Sequence, residues 1–215
     1  MSTPGQPTTG SGMHVLVLGA GGQLGQAVVA CLLRDSYCVR AFQRRSVAEL
    51  TSPNLEVVLG DARHHGALAA AVMGQDAVVN AIGSGTLRRN TVESETTAIV
   101  LDVLRTSGPR RYIGISAGLV APVSFLFDRL IRPVIFGNLY REHLAVEHLI
   151  RSCDLEWTII RPTRLGNGQP RGYVEDARSR PDGRITMSRA DVAMFISKEV
   201  RACRYVRQAV FLVSR

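Results

Sequence analysis

A three-layer α/β/α domain built on a doubly wound parallel sheet is predicted by three observations. Short apolar runs alternate with stretches of helical periodicity. The first run ends in a glycine-rich turn that opens a helix. Beyond residue 12 the 215-residue sequence has no internal repeat and no linker-like break. Strands that are apolar along their whole length belong to parallel sheets covered by helices on both faces. Their carboxyl ends then line one edge, where ligands bind. The expectation is a single domain over residues 13–215, behind a flexible tail of residues 1–12 made largely of Ser, Thr, Pro, Gly and Gln.

The elements follow in chain order. Residues 13–18 (Met-His-Val-Leu-Val-Leu) form the first strand, and Leu24, Val28, Cys31 and Leu32 then fall on one helical face. Residues 38–42 and 55–59 read as the second and third strands, the latter stopped by Gly60-Asp61. An alanine-rich helix near 66–73 leads to a fourth strand at 77–81, and residues 91–106 form a helix with Ile99, Val100, Val103 and Leu104 inward. Strands at 112–115 and 157–160 enclose a long, mostly helical stretch that is interrupted at Pro133 and Gly137. A helix near 190–201 and a last strand at 209–213 complete the series.

Composition narrows the function classes. A hydrophobic share of 46% with 20% charged residues excludes a disordered chain. No apolar run reaches the ~18 residues of a transmembrane helix, so no membrane association is expected. The net charge is +8, carried by 25 arginines and one lysine, Lys198. The arginines are scattered, with doublets at 44–45, 88–89 and 110–111, and no basic block or aromatic-interleaved stripe points to nucleic acid. Cys31, Cys38, Cys153 and Cys203 form no C-x-x-C pair and no zinc spacing, so no metal is expected and the thiols fit a reducing cytoplasm.

The glycine turn carries the chemistry. Gly19-Ala20-Gly21-Gly22-Gln23-Leu24-Gly25 places glycines where a tight turn, a close approach to a pyrophosphate and close helix packing need them. The free N–H groups and dipole of the following helix favour an anion. NAD readers usually carry Asp or Glu on the second strand, roughly 20 residues on, for the ribose 2′-hydroxyl. Here that strand ends Phe42-Gln43-Arg44-Arg45-Ser46, with guanidiniums suited to a 2′-phosphate and no carboxylate within the strand end to repel it. NADP(H) is therefore the expected cofactor.

The glycine loop, Arg44, Gly60-Asp61, Asn80-Ala81-Ile82-Gly83, Ser116 and Trp157-Thr158-Ile159-Ile160-Arg161-Pro162 fall in the order of a known family. From residue 13 to the end the sequence resembles the atypical short-chain dehydrogenase/reductases. More narrowly it is similar to the NAD(P)H-binding, NmrA-like group that includes biliverdin and flavin reductases. The resemblance implies a Rossmann-like fold, with Gly19, Gly22, Gln23, Leu24 and Gly25 at the pyrophosphate and Arg44 and Arg45 at the 2′-phosphate. It further implies Asp61 and Ala62 beside adenine, and Ala81, Ile82 and Gly83 along the ribose and nicotinamide. Ser116, Pro162, Thr163 and Leu165 would close the nicotinamide end.

The best-known members of the wider family add a Tyr with Lys four residues later, the Lys lowering the phenol pKa so that it serves as acid or base. Here Ser116 and Tyr140 are the candidate catalytic residues, but Leu144 stands at the lysine position and Lys198 lies far away. Tyr140 reads equally as a pocket residue or as a helix-start or core tyrosine. Alcohol–ketone redox by the dyad is therefore not expected, whereas hydride transfer to a flavin or another conjugated acceptor is feasible because the cofactor carries the chemistry. The alternatives are a catalytically silent NADP(H) sensor with a protein partner and an epimerase or dehydratase.

Two motifs read as decoys. Gly114-Ile115-Ser116-Ala117-Gly118 matches a nucleophile elbow, with Asp128 and His143 or His148 as triad partners, but a hydrolase leaves the glycine loop unexplained. Glu142-His143 and Glu147-His148 place histidines five apart rather than the four of a zinc helix, and a solvated helix face is expected. The apolar stretch 119–136, with Phe125, Phe127 and Phe136, reads as core helix, as a pocket wall for a planar substrate or as a dimer surface. A cytoplasmic monomer or homodimer acting on a small conjugated substrate is the overall expectation.

Overall fold

Alternation along β1 (His14–Leu18) organises the molecule: Val15 and Val17 enter one core and Leu16 and Leu18 the other, all four inaccessible to solvent. Side chains that alternate across a pleat produce this only when both faces are covered. The computed structural model describes residues 12–45, 51–83, 91–118 and 137–215. β1 pairs in parallel with β2 (Cys38–Gln43) on one side and β4 (Ala77–Asn80) on the other. The eight-stranded sheet runs β3-β2-β1-β4-β5-β6-β10-β8, with β3 (Leu55–Leu59), β5 (Arg111–Ile115), β6 (Glu156–Pro162), β8 (Tyr173–Asp176) and β10 (Gln208–Ser214). Among the described strands only β8 is antiparallel, against β10. Strand order reverses between β1 and β4, and that reversal opens a crevice at the carboxyl ends.

Five helices among the described residues cover the sheet. α1 (Gln23–Arg34) and α5 (Arg189–Ala202) pack on the Val15 face, and α2 (His65–Val72), α3 (Val92–Ser107) and α4 (Gly137–Ser152) on the Leu16 face. α5 begins at Ser188, whose hydroxyl accepts from the Asp191 amide at 3.0 Å. That is the expected use of a serine N-cap. The buried Asp191 carboxylate also accepts from the Arg171 and Gly172 amides, fastening the segment that leads into β8. At the amino-terminal end of the inner strand β5, Arg111 forms a buried ion pair with Glu199 of α5, 2.9 Å between Nη2 and Oε1.

The architecture matches the expected one, with element ends shifted by at most two residues and the third strand unshifted. The region after β6 differs. A single final strand was expected there, yet β7 (Arg164–Gly166), β8 and β9 (Thr186–Ser188) also form, β7 pairing in parallel with β9. Strands of three or four residues with half-exposed side chains carry no apolar run to read. Most of the expected flexible tail (residues 1–11), the Arg88–Arg89 doublet, Asp128 and the apolar stretch 119–136 lie outside the described residues.

Candidate functional site

The carboxyl ends of β1 to β4 are tied into one rim by backbone hydrogen bonds. The Gly19 and Ala20 amides donate to the Phe42 carbonyl, the Gly60 amide to Gln43, and the Ala81 amide to Leu18. Gly19 has φ +74°, and a Cβ there would stand 2.9 Å from the Ala81 carbonyl and the Ile82 amide nitrogen. Only glycine combines that left-handed conformation with so close an approach. Gly22 caps α1 in an extended conformation without a side-chain partner, and the first turn of α1 carries no acidic residue. The helix start is thus left with amides and a dipole that favour an anion. Gly25 is buried where a Cβ would strike the Gly19 carbonyl oxygen, so the helix presses directly on the turn.

These elements frame a cleft of about 620 Å³. Of the residues singled out from sequence, Gly19, Gly22, Arg44, Arg45, Asp61, Ala62, Ala81, Ile82 and Gly83 line it. Gln23, Leu24, Gly25, Ser116, Tyr140, Pro162, Thr163 and Leu165 do not. Gln23 opens α1 exposed to solvent, Gly25 presses on the turn, and Leu24 and Leu165 pack against the Val15 core. The cleft also gains residues the sequence reading missed: Gly21, Phe42, Gln43, Gly60, Arg63, and Val92 and Thr96 of α3. The α3 pair was invisible because a helix contributes to a wall only once its packing is known. Arg63 lay two residues beyond a quoted motif.

Charge gathers at the β2–β3 side of the cleft. Asp61 accepts from the Arg63 amide at 3.0 Å and from its guanidinium at 2.6 to 3.2 Å. Those side-chain bonds, then the amide and the nearby charge of Arg44, hold the Asp61 carboxyl well below the usual range. The sequence reading had no carboxylate beside the arginines within the β2 end. Folding supplies one from β3.

Beneath the strip 81–83 runs a buried polar chain. The Asn80 side-chain amide donates to the Tyr112 hydroxyl at 3.0 Å, and its oxygen accepts from the Ile82 amide at 3.2 Å. Burial first pushes the Tyr112 phenol up to about 12, although hydrogen bonds from Asn80 and Thr97 pull the other way. An unfolded tyrosine ionises near 10, so between pH ~10 and ~12 the unfolded chain releases the proton that the folded chain keeps. Stability from this group is complete below pH ~10 and is lost as pH rises toward 12, by about 2–3 kcal/mol. In urea titrations across that window, Tyr112→Phe is expected to show a shallower decline than the parent. An identical decline contradicts the assignment.

Ser116 closes β5, its amide donating to Ile160 at 2.8 Å, which sets it beside the end of β6 where Pro162 and Thr163 lie. The Ser116 and Thr163 hydroxyls are buried without a hydrogen bond of ordinary geometry. Ser116 still lies near enough to Glu147 to favour its charged form. Burial alone would raise the Glu147 carboxyl, but Arg161, at 2.6 and 2.8 Å, together with Ser116 and Arg151 holds it below the usual range. Tyr140 sits half-buried in the first turn of α4. The expected solvated face around Glu142-His143 and Glu147-His148 is corrected: Glu142 and Glu147 are buried and only His148 is exposed. Glu142 accepts from the Ser94 amide at 2.8 Å and hydroxyl at 3.1 Å, and His143 Nδ1 lies 3.5 Å from Glu93. These residues face inward because α4 packs on α3, which spacing along one helix does not reveal.

A glycine turn at the topological switch point, a helix start free of acidic residues and an arginine-rich rim define a nucleotide-binding α/β domain of the Rossmann type. The chain belongs to the NAD(P)H-binding family, which matches residues 19–202. It is 30% identical over 190 residues to an uncharacterized sugar epimerase of Bacillus subtilis (strain 168), covering 84% of this chain and 85% of that one. Among solved structures, a candidate NADH-flavin reductase from Streptococcus pneumoniae superposes with a TM-score of 0.82 at 19% identity, over 95% of this chain and 100% of that one. A short-chain dehydrogenase/reductase from Veillonella parvula in complex with NADP gives 0.72 at 22% identity, over 94% of each chain. These two structural likenesses show the fold.

Proposed function

We propose that the chain is an NADPH-dependent reductase that delivers hydride to a flavin or another conjugated acceptor without a Tyr–Lys dyad. The observation that carries this reading is the charge of the cleft, lined by Arg44, Arg45 and Arg63 against Asp61, the one carboxylate among the described lining residues. In this reading the turn at Gly19 and Gly22 and the start of α1 hold the pyrophosphate, with Gln23, Leu24 and Gly25 fixing that start. Arg44 and Arg45 take the 2′-phosphate. Asp61 and Ala62 flank adenine, while Ala81, Ile82 and Gly83 border the ribose and nicotinamide. Ser116, Pro162, Thr163 and Leu165 close the reacting end, and Tyr140 stands at its margin.

Bound NADPH supplies the hydride, and a conjugated acceptor can take its proton from water. The residues present suit that division of labour. Leu144 replaces the lysine that would tune Tyr140, and Lys198 lies on α5 with its ammonium 5.7 Å from the centre of the Tyr173 ring. The absent lysine equally favours a second reading, an NADP(H) sensor without turnover. The name of the Bacillus relative favours a third, an epimerase or dehydratase, although that chemistry asks for a sugar-directed base. The likeness to a candidate flavin reductase supports the first, and a cytoplasmic monomer or homodimer is the accompanying proposal.

Mixing the protein with NADPH and either FMN or dichlorophenolindophenol tests it. The nicotinamide absorbance is expected to fall well above the uncatalysed rate with at least one acceptor, and at least about tenfold more slowly with NADH at equal low concentration. Saturable NADPH binding with no turnover would contradict the reductase and leave the sensor.

A further inference from the structure

We infer that Arg63 sets the preference for a 2′-phosphorylated nucleotide by cancelling the charge of Asp61 at the arginine-rich end of the cleft. The inference rests on the NADP(H) reading of that cleft. Three features of the fold lead to it. The hydrogen bond from the Gly60 amide to Gln43 joins the ends of β2 and β3 at 2.9 Å, which brings Asp61 beside Arg44. A carboxylate therefore stands at the place where a 2′-phosphate would add about two further negative charges. Left bare, Asp61 would work against the phosphate that Arg44 and Arg45 attract.

Arg63 answers that charge directly. Its Nη2 lies 2.6 Å from Asp61 Oδ2, and its Nε lies 3.1 and 3.2 Å from the two carboxylate oxygens. This side-on fork is the strong, charge-assisted form of the contact. The Arg63 amide adds a further bond to Oδ1, so the pair is held by the turn after β3 as well as by the side chain. Glu95 on α3 is the other carboxylate near Arg63, and it accepts from the Thr91 hydroxyl. Among the described residues the Arg63 guanidinium donates to Asp61 and to no other group, so its charge is spent on that carboxylate. With Arg63 in place the charged lining residues are three arginines and one carboxylate, and the end of the cleft stays positive. A sequence reading limited to β2 assigns the discrimination to Arg44 and Arg45 alone. The fold adds both the opposing charge and the group that removes it.

The test uses the full chain and two ligands that differ only by the 2′-phosphate, adenosine 2′,5′-bisphosphate and 5′-AMP. The ratio of their dissociation constants isolates that phosphate, because any loss at adenine affects both ligands. In Arg63→Ala the preference for the bisphosphate is expected to fall at least about tenfold, with 5′-AMP changed less than about threefold. Arg63→Lys keeps the charge and is expected to retain most of the preference. Asp61→Asn added to Arg63→Ala removes the exposed carboxylate and is expected to restore the ratio to within about threefold of the parent. Arg63 is half exposed, so the folding midpoint of Arg63→Ala should match the parent closely. A parental ratio near one contradicts the NADP(H) reading itself. A large parental ratio left unchanged by Arg63→Ala overturns the role of Arg63 while that reading stands. A fall that Asp61→Asn fails to restore overturns the screening of Asp61.

Discussion

Replacing Gly25 with alanine is expected to weaken NADPH binding by at least about a hundredfold, or ~2.7 kcal/mol. In an open helix the same change would stabilise the chain by up to ~1 kcal/mol, because alanine is the better helix former. Gly25 has no such room: the new methyl would meet the Gly19 carbonyl and lie 2.8 Å from the Ala20 Cα. The turn cannot retreat alone, because Gly19 and Ala20 are both bonded to Phe42 and Gly22 is bonded to Gly19. Either α1 or the turn must shift, and the amides at the start of α1, proposed to hold the pyrophosphate, shift with it. Overpacking of this kind costs about 1–3 kcal/mol of stability. Gly66→Ala in the first turn of α2, where an added Cβ would meet nothing within 4 Å beyond its own turn of helix, is the control and is expected to leave binding unchanged. Fluorescence titration of both variants checks the pair, and Gly25→Ala binding within threefold of the parent would contradict the close-approach argument.

The second large effect lies at the amino-terminal end of β5, away from the cleft. Arg111 is 4% exposed and Glu199 fully buried, with Arg111 Nη2 donating to Glu199 Oε1 at 2.9 Å and Nη1 to the Thr158 hydroxyl at 2.8 Å. Glu199 also accepts from the Tyr205 amide at 2.8 Å and the Arg204 amide at 3.2 Å. Removing one member strands a buried charge, so Glu199→Ala is expected to cost about 3–5 kcal/mol. For a domain of this size that lowers the thermal midpoint by roughly 6–20 °C. The double change Arg111→Met with Glu199→Leu removes both charges and is expected to lose less than the single change. NADPH affinity well below the midpoint should stay near the parental value, since Arg111 begins β5 and the cleft lies at the carboxyl ends of the strands. Calorimetric melting with a parallel titration checks both statements, and an unchanged midpoint would contradict the clamp.

The parts of the fold legible in the sequence were those that repeat a simple rule. Val15-Leu16-Val17-Leu18 could only be a strand covered on both faces, and Gly19, Gly22 and Gly25 could only mark a turn pressed against a helix. The clustering of Arg44 and Asp61 could not be read, because it depends on β2 and β3 being neighbours and ending level. β7 and β9 escaped notice since three residues carry no period. The buried Glu142 and Glu147 looked like surface charges for a related reason. Their partners Ser94 and Arg161 lie 48 and 14 residues away, on elements whose packing no local pattern records.

The most direct test of the central claim is an equilibrium titration of the protein with NADPH and, separately, with NADH, followed by nucleotide fluorescence. The arginine-lined cleft requires saturable binding of NADPH at one site per chain, at least about tenfold tighter than NADH. Equal affinity for the two nucleotides, or no saturable binding of either, would contradict it.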